Sequence, residues 1–281
     1  MESAGHDYTG KTAVITGAGS GLGAAMADLF ALAGAAVVLL DLDGARAEQK
    51  AAELRAAGTT ALALMVDVAD KAALASTAAR VTAEFGQIEV LCANVGVQQF
   101  GAIDSLTDQD WDWVMSVNFK GVIHTVGAFL PLLRAATGER HIVITSSASY
   151  YQLGIRMAAY VASKFAVTGY AEVLRQELAL EGINVATLFP AGMMPRHIES
   201  SIAARPAELG ESRFDQADVR AMMSHARIDA AAHVATPEHA VRNLLSELAA
   251  GSRYIITHGN YRQQITDSYA DAMQAFDRME A

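Results

Sequence analysis

A short apolar run followed by a longer Ala-rich amphipathic stretch recurs along this chain, and no other feature constrains its fold as strongly. The apolar runs are Thr12–Thr16, Ala36–Asp41, Ala61–Asp67, Val90–Ala93, His141–Ser146, Asn184–Phe189 and Tyr254–Thr257. Each is rich in Val, Ile, Leu or Ala and lacks polar alternation, as strands buried on both faces do. The stretches between them, Gly23–Ala33, Gly44–Ala57, Lys71–Phe85, Asp108–Leu133, Ala159–Glu181 and Pro237–Ala250, carry helical periodicity. Strand–helix alternation of this kind predicts an α/β fold, a doubly wound parallel seven-stranded sheet with helices on both faces and right-handed crossovers. Ligands of such sheets collect at the carboxyl ends of the strands, and every polar motif described below falls at one of those ends. Residues 1–281 therefore read as one domain with one site.

The first strand runs into Thr16-Gly17-Ala18-Gly19-Ser20-Gly21-Leu22-Gly23, and a helix follows. Gly17 suits a tight turn, Gly21 lets backbone approach a pyrophosphate, and Gly23 permits close helix–strand packing. With Ser20 and Leu22 they form a phosphate loop at a helix N-terminus, where free N–H groups and the positive end of the dipole face the anion. Asp41 ends the second strand, near the expected spacing downstream, and Leu42 follows it. A carboxylate there accepts hydrogen bonds from the adenosine ribose hydroxyls and repels a 2′-phosphate. No Arg or Lys stands in the loop or next to Asp41, so the expected cofactor is NAD rather than NADP. A helix cap is the alternative role for Asp41, although Asp43 is better placed for it.

Thr145-Ser146-Ser147 ends another strand, and Tyr160-Val161-Ala162-Ser163-Lys164 follows on a helix. Tyr160 and Lys164, one turn apart, project from the same face. Tyr150, Tyr151 and Tyr170 have Gly154, Ile155 and Leu174 at that spacing, so among these neighbouring tyrosines Tyr160 alone has a cation one turn on. A phenol titrating near 10 is a poor base at neutral pH, and the ammonium is expected to favour its phenolate. Ser147 would hold the substrate oxygen, Tyr160 would move its proton, and Lys164 would also grip the nicotinamide ribose.

On these residues the chain resembles the short-chain dehydrogenases/reductases, in their ordinary NAD(P)-dependent branch, over nearly its whole length. The resemblance implies that Asp67 and Val68 contact adenine and that Asn94, Val95 and Gly96 line the adenosine site. It implies that Asn118 holds a proton-relay water leading to Lys164, and that Pro190 and Gly192 flank the nicotinamide. Caps or buried hydrogen-bonding roles are the structural alternatives for Asp67, Asn94 and Asn118. The chain departs from the family pattern at Ala93, at Ala191 and at Met193-Met194-Pro195. Two stretches, Arg196–Ser200 through Arg205-Pro206 and Thr257–Asn260, are similar to members acting on bulky aryl alcohols, including lignin-type Cα-dehydrogenases.

Between about 193 and 233 the strand pattern stops, and Met193, Met194, Met222 and Met223 fall there, with Tyr150 and Tyr151 soon after Ser147. This reads as a substrate lid over a bulky or aromatic secondary alcohol or ketone, with ordinary core filling as the alternative for the methionines. His197, His225, His233 and His239 lack metal-ligand spacing, and no metal is expected. A net charge of −10 leaves no basic footprint for nucleic acid or an anionic membrane. No apolar run reaches the roughly 20 residues of a membrane span. The start resembles no secretory signal, and a lone Cys92 suits a reducing cytoplasm. Ile265, Tyr269, Met273 and Phe276 form an apolar stripe that needs cover from the domain or a neighbouring subunit. In the family, helices matching Asp108–Leu133 and Ala159–Glu181 build homodimers and homotetramers; Ala166, Val173 and Leu180 lend weak support here. The rival functions are a non-catalytic NAD-binding regulatory protein, against which the retained Asn118, Ser147, Tyr160 and Lys164 argue, and a dihydrodiol or C=C oxidoreductase on the same scaffold.

Overall fold

A computed structural model describes residues 6–193, 196–212, 214–225 and 234–280, with the backbone alone at 196–199, 223 and 225. Met194, Pro195 and His233 lie outside the described residues, as do the side chains of His197, Met223 and His225. Seven strands form one parallel sheet: β1 Thr12–Thr16, β2 Ala36–Asp41, β3 Ala61–Met65, β4 Val90–Ala93, β5 Arg140–Thr145, β6 Ile183–Phe189 and β7 Tyr254–Ile256. Their spatial order is β3-β2-β1-β4-β5-β6-β7. Strand order reverses between β1 and β4, which opens a crevice at their carboxyl ends.

The unbroken apolar runs have a simple cause. Successive side chains of a strand point to opposite faces, and helices cover both faces of this sheet. Ala13, Ile15, Val37 and Leu39 face α1 (Gly21–Leu32), α2 (Gly44–Ala56), α9 (Pro237–Val241) and α10 (Leu244–Ala249), packing with Met26, Phe30 and Leu244. Val14, Val38, Leu40, Leu91 and Ile142 face α3 (Lys71–Phe85), α5 (Gly121–Ala135) and α6 (Ala158–Ala179), packing with Leu74, Phe129 and Val167. A third, smaller cluster joins Val97 and Ala159 to Trp113 and Val114 of α4 (Asp108–Met115), with Leu209 against it.

Three boundaries differ from the sequence reading. The stretch Asp108–Leu133 is not one helix: α4 and α5 are separated by a π-helical turn, Ser116–Lys120. A Cβ on Gly121 would sit 2.7 Å from Val68 Cγ2, so the glycine is what lets this turn lie against the loop after β3. β3 stops at Met65, because Asp67 turns the chain by accepting from Ala69 N–H at 2.8 Å. The stretch Pro237–Ala250 breaks at Arg242–Asn243 into α9 and α10.

The segment after β6 has its own helices, α7 (Arg196–Ala203) and α8 (Gln216–His225), with a 3-10 turn Ala207–Leu209 between them. The last helix, α11 (Arg262–Glu280), leaves Tyr269, Met273 and Phe276 exposed, as α6 leaves Phe165, Val173 and Leu180. The described chain itself does not cover either apolar stripe. No described helix is long and apolar enough to cross a membrane.

Candidate active site

An open cleft of about 2480 Å³ lies along the carboxyl ends of β1, β2, β4, β5 and β6. Ordinary small-ligand pockets hold roughly 300–1,000 Å³, so this cleft has room for a dinucleotide and a second ligand together. Each of the predicted cofactor residues Gly17, Ser20, Gly21, Leu22, Asp41, Leu42, Asp67, Val68, Asn94, Val95, Gly96, Pro190 and Gly192 lines it. Gly23 does not; it is buried beneath the loop, where an added Cβ would lie 2.1 Å from Gly17 carbonyl oxygen. That is an overlap no side chain survives without moving the backbone. Gly17 and Gly21 have φ of +69° and +53°, which L side chains rarely adopt.

The first helix is treated differently from its neighbours. Asp43, Asp70 and Thr107 cap α2, α3 and α4 with side-chain oxygens. Ser20 makes no side-chain cap on α1, and no acidic residue stands in the first turn of that helix. Its N-terminus lies at the cleft with neither a side-chain cap nor an acid in its first turn, which suits a phosphate. Asp41 accepts from Gly19 N–H at 2.8 Å and from Asp43 N–H at 2.9 Å, so it also braces the loop. Asp43, not Asp41, is the cap, accepting from Arg46 N–H. Arg46, which the sequence reading passed over, also lines the cleft, its Nε 3.1 Å from Asp43 Oδ2. Asn94 ties strand ends together: its amide donates to Thr16 carbonyl at 3.1 Å, and its Oδ1 accepts from Thr145 Oγ1 at 3.1 Å.

Where the two halves of the cleft meet, Tyr160 and Lys164 are buried on the α6 face that meets β5. Ser147 and Gln98 line the same cleft as Tyr160 and favour its ionised form. Lys164 Nζ lies 5.6 Å from the Tyr160 ring centre and donates to Thr145 carbonyl at 3.0 Å. A Cβ on Gly96 would sit 3.1 Å from that ammonium, so the glycine keeps its space open. Asn118, in the π turn, accepts from Val97 N–H at 2.8 Å and donates to Val97 carbonyl and Ser163 Oγ, both at 2.9 Å. Its carboxamide is spent on the protein.

Burial at this point works against one expectation. It pushes the Tyr160 phenol above its ordinary value, and the Ser147 and Gln98 side chains offset only part of that. Burial brings Lys164 down to about 8. Desolvation is the largest influence on the phenol and works against its ionisation in the chain alone.

Beyond Tyr160 the cleft is lined by Val97, Gln98, Trp113, Ile155, Met157, Met193, Leu209, Met222 and Tyr261. Tyr150 and Tyr151, expected at the ligand, are not among the residues lining the cleft. Tyr150 lies 4.6 Å from Phe165, and Tyr151 lies 4.8 Å from Phe189 between ring centres. Arg205 anchors this side: Nη2 lies 2.8 Å from Asp110 Oδ1, Nη1 donates to Gln99 Oε1 at 2.7 Å, and Nε donates to Gly210 carbonyl at 2.8 Å. Burial alone would raise the Asp110 carboxyl, but Thr107 and Arg205 together hold it below the usual carboxylate range. Among the described residues no cluster of His, Cys, Asp and Glu could hold a metal ion.

The family model for short chain dehydrogenase matches residues 11–205, from the start of β1 to the end of α7. The chain belongs to this family of oxidoreductases. It is 31% identical over 276 residues to the C alpha-dehydrogenase of Sphingobium sp. (strain NBRC 103272 / SYK-6), covering 98% of this chain and 89% of that relative. A short chain dehydrogenase/reductase from Burkholderia phymatum, solved in complex with NAD, matches with a TM-score of 0.81 at 31% identity over 90% of each chain. A metagenomic short-chain oxidoreductase in complex with NADP matches with a TM-score of 0.63 at 32% identity, over 69% of this chain and 90% of that one. Such enzymes bind nicotinamide cofactors, of either kind.

Proposed function

We propose that this short-chain dehydrogenase interconverts bulky, largely apolar secondary alcohols and ketones with NAD, using Tyr160 as the general acid/base. The observation that carries the reading is the buried Tyr160, one helical turn from a buried Lys164 and lining one cleft with Ser147. NAD fits the residues present: α1 offers an N-terminus without a side-chain cap, Gly23 lets it close on the loop, and Asp41 ends β2 where a ribose would lie. Bound there, the nicotinamide supplies or takes up the hydride.

The remaining work falls to the chain. Ser147 holds the reacting oxygen, and Tyr160 takes the proton of the alcohol as its carbon loses hydride and the carbonyl forms; reduction returns that proton. A phenol held above its ordinary value is poised as the acid, so oxidation needs added positive charge, which an oxidised nicotinamide would provide. Lys164 is placed to grip the ribose and pass protons outward. Asn118, its carboxamide already engaged, would serve that path through main chain of the π turn, a device common at functional sites. The apolar wall of Val97, Trp113, Met157, Leu209 and Met222 favours a bulky substrate, and the matching C alpha-dehydrogenase points the same way. The segment from about 193 to 233 would act as its lid. The uncovered stripes on α6 and α11 favour a homodimer or homotetramer.

Tyr160→Phe tests the assignment. Turnover of a panel of aryl alcohols, followed as NADH absorbance, is expected to fall about a thousandfold, while NADH binding by fluorescence changes less than about threefold. Undiminished turnover would remove Tyr160 from the chemistry.

A further inference from the structure

Where the chain leaves β6 it runs along the cleft through Pro190, Ala191, Gly192 and Met193, and the Gly192 carbonyl is held there from two distant parts of the sequence. Ala235 N–H, just before α9, donates to it at 3.1 Å, and Gly192 pairs with Val234 as an isolated parallel bridge. The second donor is a side chain. His258, two residues past the end of β7, places Nε2 3.2 Å from the same carbonyl oxygen. Its other ring nitrogen, Nδ1, lies 2.7 Å from Oγ1 of the buried Thr257. A carbonyl oxygen only accepts, so Nε2 carries the hydrogen, and in the neutral ring Nδ1 accepts from the Thr257 hydroxyl. The ring of His239, on α9, stands edge-on to that of His258 at 6.2 Å between centres.

Hydroxyl, ring and carbonyl thus form one chain of contacts from the end of β7 to the end of β6. Ala235 already satisfies the carbonyl, so the added donor chiefly fixes the direction of the peptide. Because a peptide is planar, fixing the Gly192 carbonyl also fixes the Met193 N–H, which points the opposite way. Gly192 is exposed and has no side chain to pack, so these hydrogen bonds are what hold the turn. Both residues line the cleft on the stretch where the proposed function places the nicotinamide. We propose that His258 is a positioning residue, holding the Gly192–Met193 peptide as a preformed seat for the nicotinamide end of the dinucleotide. A preformed seat lowers the ordering cost of binding. The adenosine end, at the β1 loop and Asp41, would be read by other elements. This inference rests on the dinucleotide reading of the cleft and deepens it.

The test compares, by calorimetry on the full chain, the binding of NADH and of ADP-ribose, which keeps the adenosine and both phosphates but lacks the nicotinamide. His258→Leu removes both ring contacts. Its affinity for NADH should fall about fivefold, the scale of one net hydrogen bond, with ADP-ribose changed less than about twofold. An unmoved ADP-ribose affinity also shows that the variant is folded. Glutamine and asparagine separate the two ring nitrogens, since Gln carries its amide nitrogen near the place of Nε2 and Asn near that of Nδ1. His258→Gln should therefore hold NADH within about twofold of wild type, and His258→Asn should lose as much as His258→Leu. Equal losses of NADH and ADP-ribose affinity would overturn the proposal, leaving His258 as a support of the whole cleft. So would an unchanged NADH affinity in His258→Leu, or a glutamine variant as weak as the leucine one. A wild type that binds neither ligand would instead defeat the dinucleotide reading, and this inference with it.

Discussion

Around the nucleotide half of the cleft, polar groups are held by strand ends and the loops beside them: Asp41 by Gly19 and Asp43, Asn94 by Thr16 and Thr145. The half proposed for the substrate is assembled over greater sequence distance, since Gln98, Gln99 and Asp110 all reach into the segment after β6, at Ser201, Ser212 and Arg205. The first half follows from the sheet, because parallel strands in register deliver their carboxyl ends together. The second depends on how one segment docks. Changes in the substrate half should therefore alter stability and alcohol binding, and changes in the nucleotide half should alter cofactor binding.

Arg205→Met carries the largest expected effect on stability. It leaves the Asp110 carboxylate buried and uncompensated, with side chains only 10% and 6% exposed in the present pair. Breaking such a pair by removing one partner costs about 3–5 kcal/mol. Denaturant unfolding should show a loss near the lower end, because the Thr107 capping box still serves Asp110. KM for the alcohol should rise more than about tenfold, with KM for NAD changed less than about threefold. Equal increases in both would mean that the two halves are mechanically one.

Gly23→Ala is the reciprocal change. Its Cβ, 2.1 Å from Gly17 carbonyl oxygen, must push the phosphate loop off α1. Overpacking of this kind costs about 1–3 kcal/mol. NAD affinity, measured by fluorescence quenching or calorimetry, should fall about tenfold or more, and KM for the alcohol at saturating NAD should hardly move. An unchanged NAD affinity would show that the loop is not the phosphate site.

The same contrast explains what could be read in the sequence. The strands were legible because helices bury both sheet faces, and the meeting of the glycine loop, Asp41, Ser147, Tyr160 and Lys164 in one cleft was legible because each stands at a strand end or one helical turn from another. The π turn was not, because its register is set by Gly121 against Val68 and by Asn118 on Val97 and Ser163, contacts between segments. Tyr150 and Tyr151 looked like ligand contacts by proximity to Ser147, but Phe165 and Phe189 draw their rings elsewhere. The burial of the phenol was also hidden, since spacing shows the ammonium but not the desolvation around it.

Asp41 offers the finest test of the nucleotide half, since two roles converge on one carboxylate. It braces Gly19, and it stands where it would select the cofactor. Asp41→Ser should weaken both NAD and NADP through the loosened loop, and that shared loss cancels in the ratio of their kcat/KM values. What survives in the ratio is selection: removing a carboxylate that repels a 2′-phosphate, with the Arg46 guanidinium nearby on the cleft wall, should move preference toward NADP about tenfold. Arg46 is at present engaged with Asp43, so Asp43→Asn in the same background should free it and enlarge the shift. A ratio unchanged by Asp41→Ser would leave Asp41 as a brace for the loop and place cofactor choice elsewhere in the cleft.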